Sequence, residues 1–219
     1  FQPGLRHLGR QHHQREHPLE ALHERDVGQP ANCRGSPVRR RTVWRVLPGR
    51  NSLVMQETVA KLLVRYLERR GTRHVFGLCG HTNIAVLSAM AGSTIQFVNV
   101  RHEQVAAHAA DGYARVTNQA AVVLTHLGPG LTNAATGVAN AALDCIPMVV
   151  IAGDVPSHYF GKHPHQEVNL HADASQYEIF RPIVKRAWRV DRPTLLPEIL
   201  EKAFQLAQSG QPGPVLVDV

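Results

Sequence analysis

The stretch Val100–Arg115, VRHEQVAAHAADGYAR, sets a carboxylate, Glu103, where an apolar strand gives way to a helix. An acid in the first turn of a helix offsets the partial positive charge of the free backbone N–H groups and can cap them, contributing about 0.3–1 kcal/mol. Spacing alone favours that role, but the neighbourhood is unusual. The helix is built almost wholly of small residues, and its Gly112 costs about 1 kcal/mol relative to Ala. Such a helix suits close packing on a partner helix, here expected from a second copy of the chain, which would bury the carboxylate.

A second candidate is GPGLTN. Gly128 and Gly130 follow a strand and open a helix, half of a dinucleotide fingerprint, with Asn133 in the third glycine's place and Asp154 ending the next strand where an acid would meet a ribose. Pro129 removes a backbone donor that a phosphate needs, and the unit is the third in the chain rather than the first. A nucleotide site and a plain tight turn both remain open. His102, His108, His126, His163, His165 and His171 include no pair with a partner acid at ligand spacing on a shared helix, so no metal site is predicted.

The elements that must position these residues alternate from Met55 onward. Val59, Leu62, Leu63, Tyr66 and Leu67 form one apolar helix face ending before Gly71. The strand HVFGL, the loop CGHTN, a short helix to about Met90, the strand IQFVNV and the helix at Glu103 follow. Then come the strand AAVVLTHL, a glycine turn, a helix from Leu131 to about Leu143, and the strand MVVIAG. After a looser segment from Asp154 to about Tyr177, a helix near Leu195–Ser209 leads into a last strand, VLVDV. Short apolar strands separated by helices predict an α/β fold, an open and mostly parallel sheet with helices on both faces. Sites in such sheets lie in loops at the carboxyl ends of strands, which selects GLCGHTN, RHEQ and HLGPGLTN.

Charge separates the chain into two regions. Residues 1–55 carry ten Arg, no Lys and four acids, a net +6, whereas the other 164 carry 14 basic and 13 acidic groups, a net +1. Residues 1–54, with five His and five Pro and no periodicity, are expected to be a disordered basic leader, or a stretch upstream of a true start at Met55. The basic PVRRRTVWRV, with Trp44 able to stack on a base, is the only nucleic-acid feature, and nucleic-acid binding is not expected. Residues 55–219 are expected to form the domain. Three widely spaced cysteines, Cys33, Cys79 and Cys145, suit a reducing compartment. No apolar run approaches the roughly 20 residues of a membrane span. A soluble, cytoplasmic protein is expected.

Taken together, VFGLCG, RHEQVAAHAADGYAR, GPGLTNAATGVANA, Ile146-Pro147, Gly153-Asp154, Gln166-Glu167 and the closing GPVLVDV resemble the N-terminal, pyrimidine-binding domain of the thiamine diphosphate-dependent enzymes, in their acetolactate synthase-like group. The resemblance covers residues 55–219. It implies that Glu103 hydrogen-bonds N1′ of the cofactor's aminopyrimidine and so promotes loss of the thiazolium C2 proton before attack on a 2-keto acid. It implies further that Gly128, Gly130 and Asn133 line the pyrimidine pocket, that Gly77 and Gly80 shape the loop beside thiazolium and substrate, and that Gln166 faces the substrate. Cys79 stands where the synthases usually have Pro, Leu127 where a small hydroxyl residue is common, and HPHQE where DAFQE is typical. These departures bear on substrate preference.

The family holds the diphosphate through magnesium on a second domain marked by Gly-Asp-Gly, a motif these 219 residues do not contain. Nor do they contain the middle domain where the synthases keep most flavin contacts, so FAD finds no support here. The chain is therefore expected to be the pyrimidine-binding part of an enzyme whose remaining domains lie on another chain or beyond residue 219, to work as a homodimer or with a separate diphosphate-binding subunit, and to be inactive alone. A non-catalytic remnant or interaction module of the same fold, and a nucleotide-binding domain using GPGLTN, are the alternatives.

Overall fold

The computed structural model describes residues 57–169 and 175–219. The expected leader, with Trp44, lies outside them, as do Cys33 and His171.

Helix α1, Val59–Arg69, is capped by Thr58, whose hydroxyl accepts from the Lys61 N–H at 3.3 Å. It is followed by β1 (His74–Gly77), α2 (Ile84–Met90), β2 (Gln96–Asn99), α3 (Glu103–Thr117), β3 (Ala121–Thr125), α4 (Pro129–Leu143) and β4 (Met148–Ala152). The chain then passes through 3-10 turns at Ser157–Tyr159 and Gln176–Ile183 to β5 (Ala187–Arg189), α5 (Leu196–Gln208) and β6 (Pro214–Asp218). The strands form one sheet in the order β2-β1-β3-β4-β6-β5, and every adjacent pair is parallel. The expected α/β fold is present.

Alternation along the central strands feeds two cores. Val122 and Leu124 of β3 join Leu63 and Leu67 of α1 and Leu200 and Phe204 of α5 on one face. Ala121 and Val123 join the alanines of α3, Leu131 and Val138 of α4, and Phe180 on the other. Each fully buried Leu, Val or Phe contributes about 1.5–3 kcal/mol.

Three expectations need adjustment. Helix α4 begins at Pro129, two residues before Leu131, because a proline at the first helical position gives up only an N–H that would have had no partner. The edge strand β5 falls in a stretch where no strand is expected. It has only three residues, two of them Trp188 and Arg189, and is held by pairing with β6 rather than by its own pattern. Finally, the small residues of α3 face α4 of the same chain. Ala106, Ala107, Ala110 and Ala114 are buried there, and a side chain on Gly137 would lie 2.5 Å from the Ala107 Cβ. The carboxylate of Glu103 is thus buried by its own chain, at 4% exposure. Gly112, in contrast, has nothing within 4 Å of where a Cβ would stand.

Candidate functional site

The strand order reverses direction between β1 and β3: the chain runs outward to β2, then returns past β1 to build β3 and β4 on its other side. Loops leaving such neighbours diverge and open a crevice at their carboxyl ends. The loops after β1 (Leu78–Asn83) and β3 (His126–Gly128) and the first turns of α3 and α4 meet there.

Glu103 is the first residue of α3, but it does not cap the helix. His102 does, its Nδ1 accepting from the Gln104 N–H at 3.3 Å. Glu103 is instead turned to α4, where Oε2 accepts from Asn133 Nδ2 at 3.0 Å. Oε1 accepts no hydrogen bond, and it is not sealed from solvent. A Cβ on Gly130 would stand 3.1 Å from that oxygen and 3.0 Å from the Cβ of His126. The missing side chain at Gly130 leaves a slot beside an open carboxylate oxygen.

His126 forms the wall between this slot and the other loops. It is 8% exposed, and a Cβ on Gly80 would meet its ring at 2.5 Å. Its Nε2 lies 2.6 Å from Gln166 Oε1 and its Nδ1 lies 3.1 Å from Thr82 Oγ1, which also accepts from the Leu127 N–H at 3.2 Å. With Nε2–H donating to Gln166, the Thr82 hydroxyl can donate to Nδ1, and every group has a complementary partner. His81 stacks edgewise on His126, with ring centroids 4.4 Å apart. Desolvation, aided by the neighbouring His126 and His165, holds the His81 imidazole below its ordinary pKa. The loop carrying Gly80 is fixed by the buried Asn83, which accepts from the Gly80 N–H and donates to the Leu78 carbonyl, both at 3.0 Å.

The Gly128 turn needs a glycine twice over. Its φ is +52°, and a side chain there would collide with the Gln166 carbonyl. Its N–H donates at 2.6 Å to Oε1 of the buried Gln176, whose Nε2 donates to the Gly153 carbonyl (3.0 Å) and to Asp218 Oδ1 (2.7 Å). Gly130 N–H is taken by the Leu127 carbonyl at 3.1 Å. From Leu127 to Gly130 each backbone N–H is engaged or, at Pro129, missing. A phosphate would find no free donor in that stretch, which weighs against a nucleotide site.

Of the residues singled out in the sequence, Glu103, Gly130 and Asn133 surround the slot, and Gly80, Gly128 and Gln166 gather on the His126 side. Gly77 does not join them. It lies within β1, where a side chain would strike the Leu124 carbonyl of β3, so its smallness serves strand packing. Thr82, Asn83, His126 and Gln176 were missed as site residues. Only His126 carries a sequence signal, a polar ring ending an apolar strand, and the histidine pattern reads there only as a question of metal ligation. Among the described residues no cluster of three or more His, Cys, Asp or Glu could hold a metal ion, and no helix is long and apolar enough to cross a membrane.

Residues 57–175 match the family described as thiamine pyrophosphate enzyme, N-terminal TPP binding domain. Over 170 residues, 76% of this chain, the sequence is 43% identical to an acetolactate synthase of Arthrospira platensis. Over 161 residues, 73% of the chain, it is 44% identical to the acetolactate synthase large subunit of Buchnera aphidicola from Schizaphis graminum, and 43% identical to the isozyme 3 large subunit of Escherichia coli. The aligned stretch spans 27–28% of those relatives' own lengths.

Proposed function

Because this chain belongs to the thiamine pyrophosphate enzymes, as their N-terminal TPP-binding domain of acetolactate synthase-like type, we propose that its crevice receives the aminopyrimidine of thiamine diphosphate and that Glu103 hydrogen-bonds the ring at N1′. One observation carries the reading: Glu103 Oε1 is open, buried at its base, and faces the slot left by Gly130. The glycine keeps a side chain out of the space beside that oxygen, where the edge of a flat heteroaromatic ring would approach. Asn133, donating to Oε2, fixes the carboxyl plane so that the other oxygen points into the gap.

Bound thiamine diphosphate supplies an electron sink for decarboxylation and carboligation of 2-keto acids. The chain's own residues supply placement. Glu103 holds or returns a proton at the ring nitrogen, and Gln166, oriented by His126, faces the substrate. Gly80 lets the loop after β1 close against the His126 ring. Magnesium and the diphosphate are held by a further domain carrying the Gly-Asp-Gly motif that residues 1–219 do not include, and activity requires that domain. The assembled protein works in the cytoplasm.

Isothermal titration tests the reading. The chain mixed with a partner carrying a Gly-Asp-Gly domain should bind thiamine diphosphate and magnesium with measurable heat, and the chain alone should bind far more weakly. No binding in either arrangement would remove the proposed role.

A further inference from the structure

Beneath the Gly128 turn lies a polar network that the proposed function does not use. Gln176 is 1% exposed and Asp218 is 0% exposed, yet both are polar and lie among apolar strands. The two amide hydrogens of Gln176 are spent on the Gly153 carbonyl and Asp218 Oδ1, and its oxygen receives the Gly128 N–H. Asp218 ends β6 opposite Ala152 of β4, two residues before Asp154. Asp154 Oδ1 accepts the Val155 N–H at 2.7 Å. The remaining oxygens, Asp154 Oδ2 and Asp218 Oδ2, are both buried and have no other hydrogen-bond partner.

Two orphaned carboxyl oxygens on adjacent groups are satisfied together by one proton, which neither can supply if both are ionised. We propose that Asp218 keeps a proton and donates it to Asp154, and that this shared proton lets Gln176 hold the Gly128 turn in place beside Glu103. Gln176 and Asp218 are positioning residues: they touch the turn, not the slot. Arg189 assigns the remaining charge. Its Nε lies 4.0 Å from Asp154 Oδ2 and 3.4 Å from Asp191 Oδ1, so Asp154 is the partner that stays ionised. Glu167, on the segment after β4, adds a further negative charge facing Asp154. Burial is the main cause raising both carboxyl groups above the ordinary carboxylate range, Asp218 well above it, where Asp154 adds to the effect. Loss of the shared proton would set two buried carboxylates against each other at the ends of β4 and β6 and withdraw the support of Gln176 from Gly128.

Amide hydrogen exchange by NMR on the full chain tests this without any cofactor, so its outcome is independent of the cofactor reading. The protection of the Gly128 N–H, taken relative to Val123 in β3, should fall about tenfold or more as pH rises above the carboxylate range. In Asp218→Asn the side-chain amide can still donate to Asp154 and accept from Gln176 but cannot titrate, so protection should be unchanged with pH. In Gln176→Leu it should be low throughout. Carboxyl carbon-13 titration of the unaltered chain gives a check that needs no variant: one proton should remain on the pair above the ordinary carboxylate range. Constant Gly128 protection in the unaltered chain, a persisting fall in Asp218→Asn, retained protection in Gln176→Leu, or ordinary titration of both acids would each overturn the proposal.

Discussion

Glu103 shows how one side chain's task is settled by what its neighbours already do. At a helix start an acid normally serves the free backbone donors, but here His102 has that task, and the carboxyl is left with one oxygen on Asn133 and one open. Glu103→Gln should retain the Asn133 contact through its amide oxygen and change stability by less than about 1 kcal/mol. In the assembled enzyme the same substitution should slow exchange of the cofactor's C2 proton by about a hundredfold or more, followed by proton NMR in deuterium oxide. Unaltered exchange would exclude the proton-holding role. The position of Glu103 was legible in the sequence because strand and helix periodicities change on either side of it. The network at His126 was not, since Thr82 and Gln166 lie 44 and 40 residues away in the chain, and only the fold brings them within reach.

At the level of elements, α3 and α4 are one unit. Asp111 is buried between them, accepting from Arg115 Nε at 3.0 Å and Asn140 Nδ2 at 2.9 Å, and Arg115 reaches on to Asp144 at the end of α4. The DGYAR portion of the motif thus fastens the helix pair that carries Glu103 and Asn133. The two glycines of this pair should respond oppositely to alanine. Gly137→Ala forces a methyl against Ala107 and should destabilise the chain by about 1–3 kcal/mol. Gly112→Ala meets open space and should stabilise it by up to about 1 kcal/mol. Urea denaturation measures both, and equal effects would contradict the packing described. The sequence showed that the helix was suited to close contact. It did not show with what, because any helix with a small-residue face can accept it. The short β5 escaped notice for a related reason: an edge strand takes its support from hydrogen bonds to its neighbour, not from a buried pattern of its own.

For the whole molecule, the buried acid pair joins stability to pH. The Asp154–Asp218 pair holds its shared proton more tightly folded than unfolded, so above the ordinary carboxylate value the folded chain carries the greater number of protons until the pair's raised value is passed. Their contribution to stability is therefore present at the acid side and lost as pH rises through that window. Thermal unfolding over a pH series should show the midpoint declining there, with a shallower decline in Asp218→Asn; an identical slope in both would show that another group is responsible. The strand order that places these acids beneath the Gly128 turn also opens the crevice between β1 and β3. Periodicity alone determined the alternating α/β plan, because 2-fold and 3.6-fold patterns of apolar residues are local, and the strand-end rule selected the loops at the carboxyl ends of the strands. Tertiary structure decided which of those loops meet, that Gly77 packs a sheet while Gly130 opens a slot, and that Gln176 and Asp218 hold the turn from below. Those outcomes depend on contacts between residues far apart in the chain, and a desolvated hydrogen bond or a missing Cβ acquires its meaning only from the neighbour that the fold puts against it.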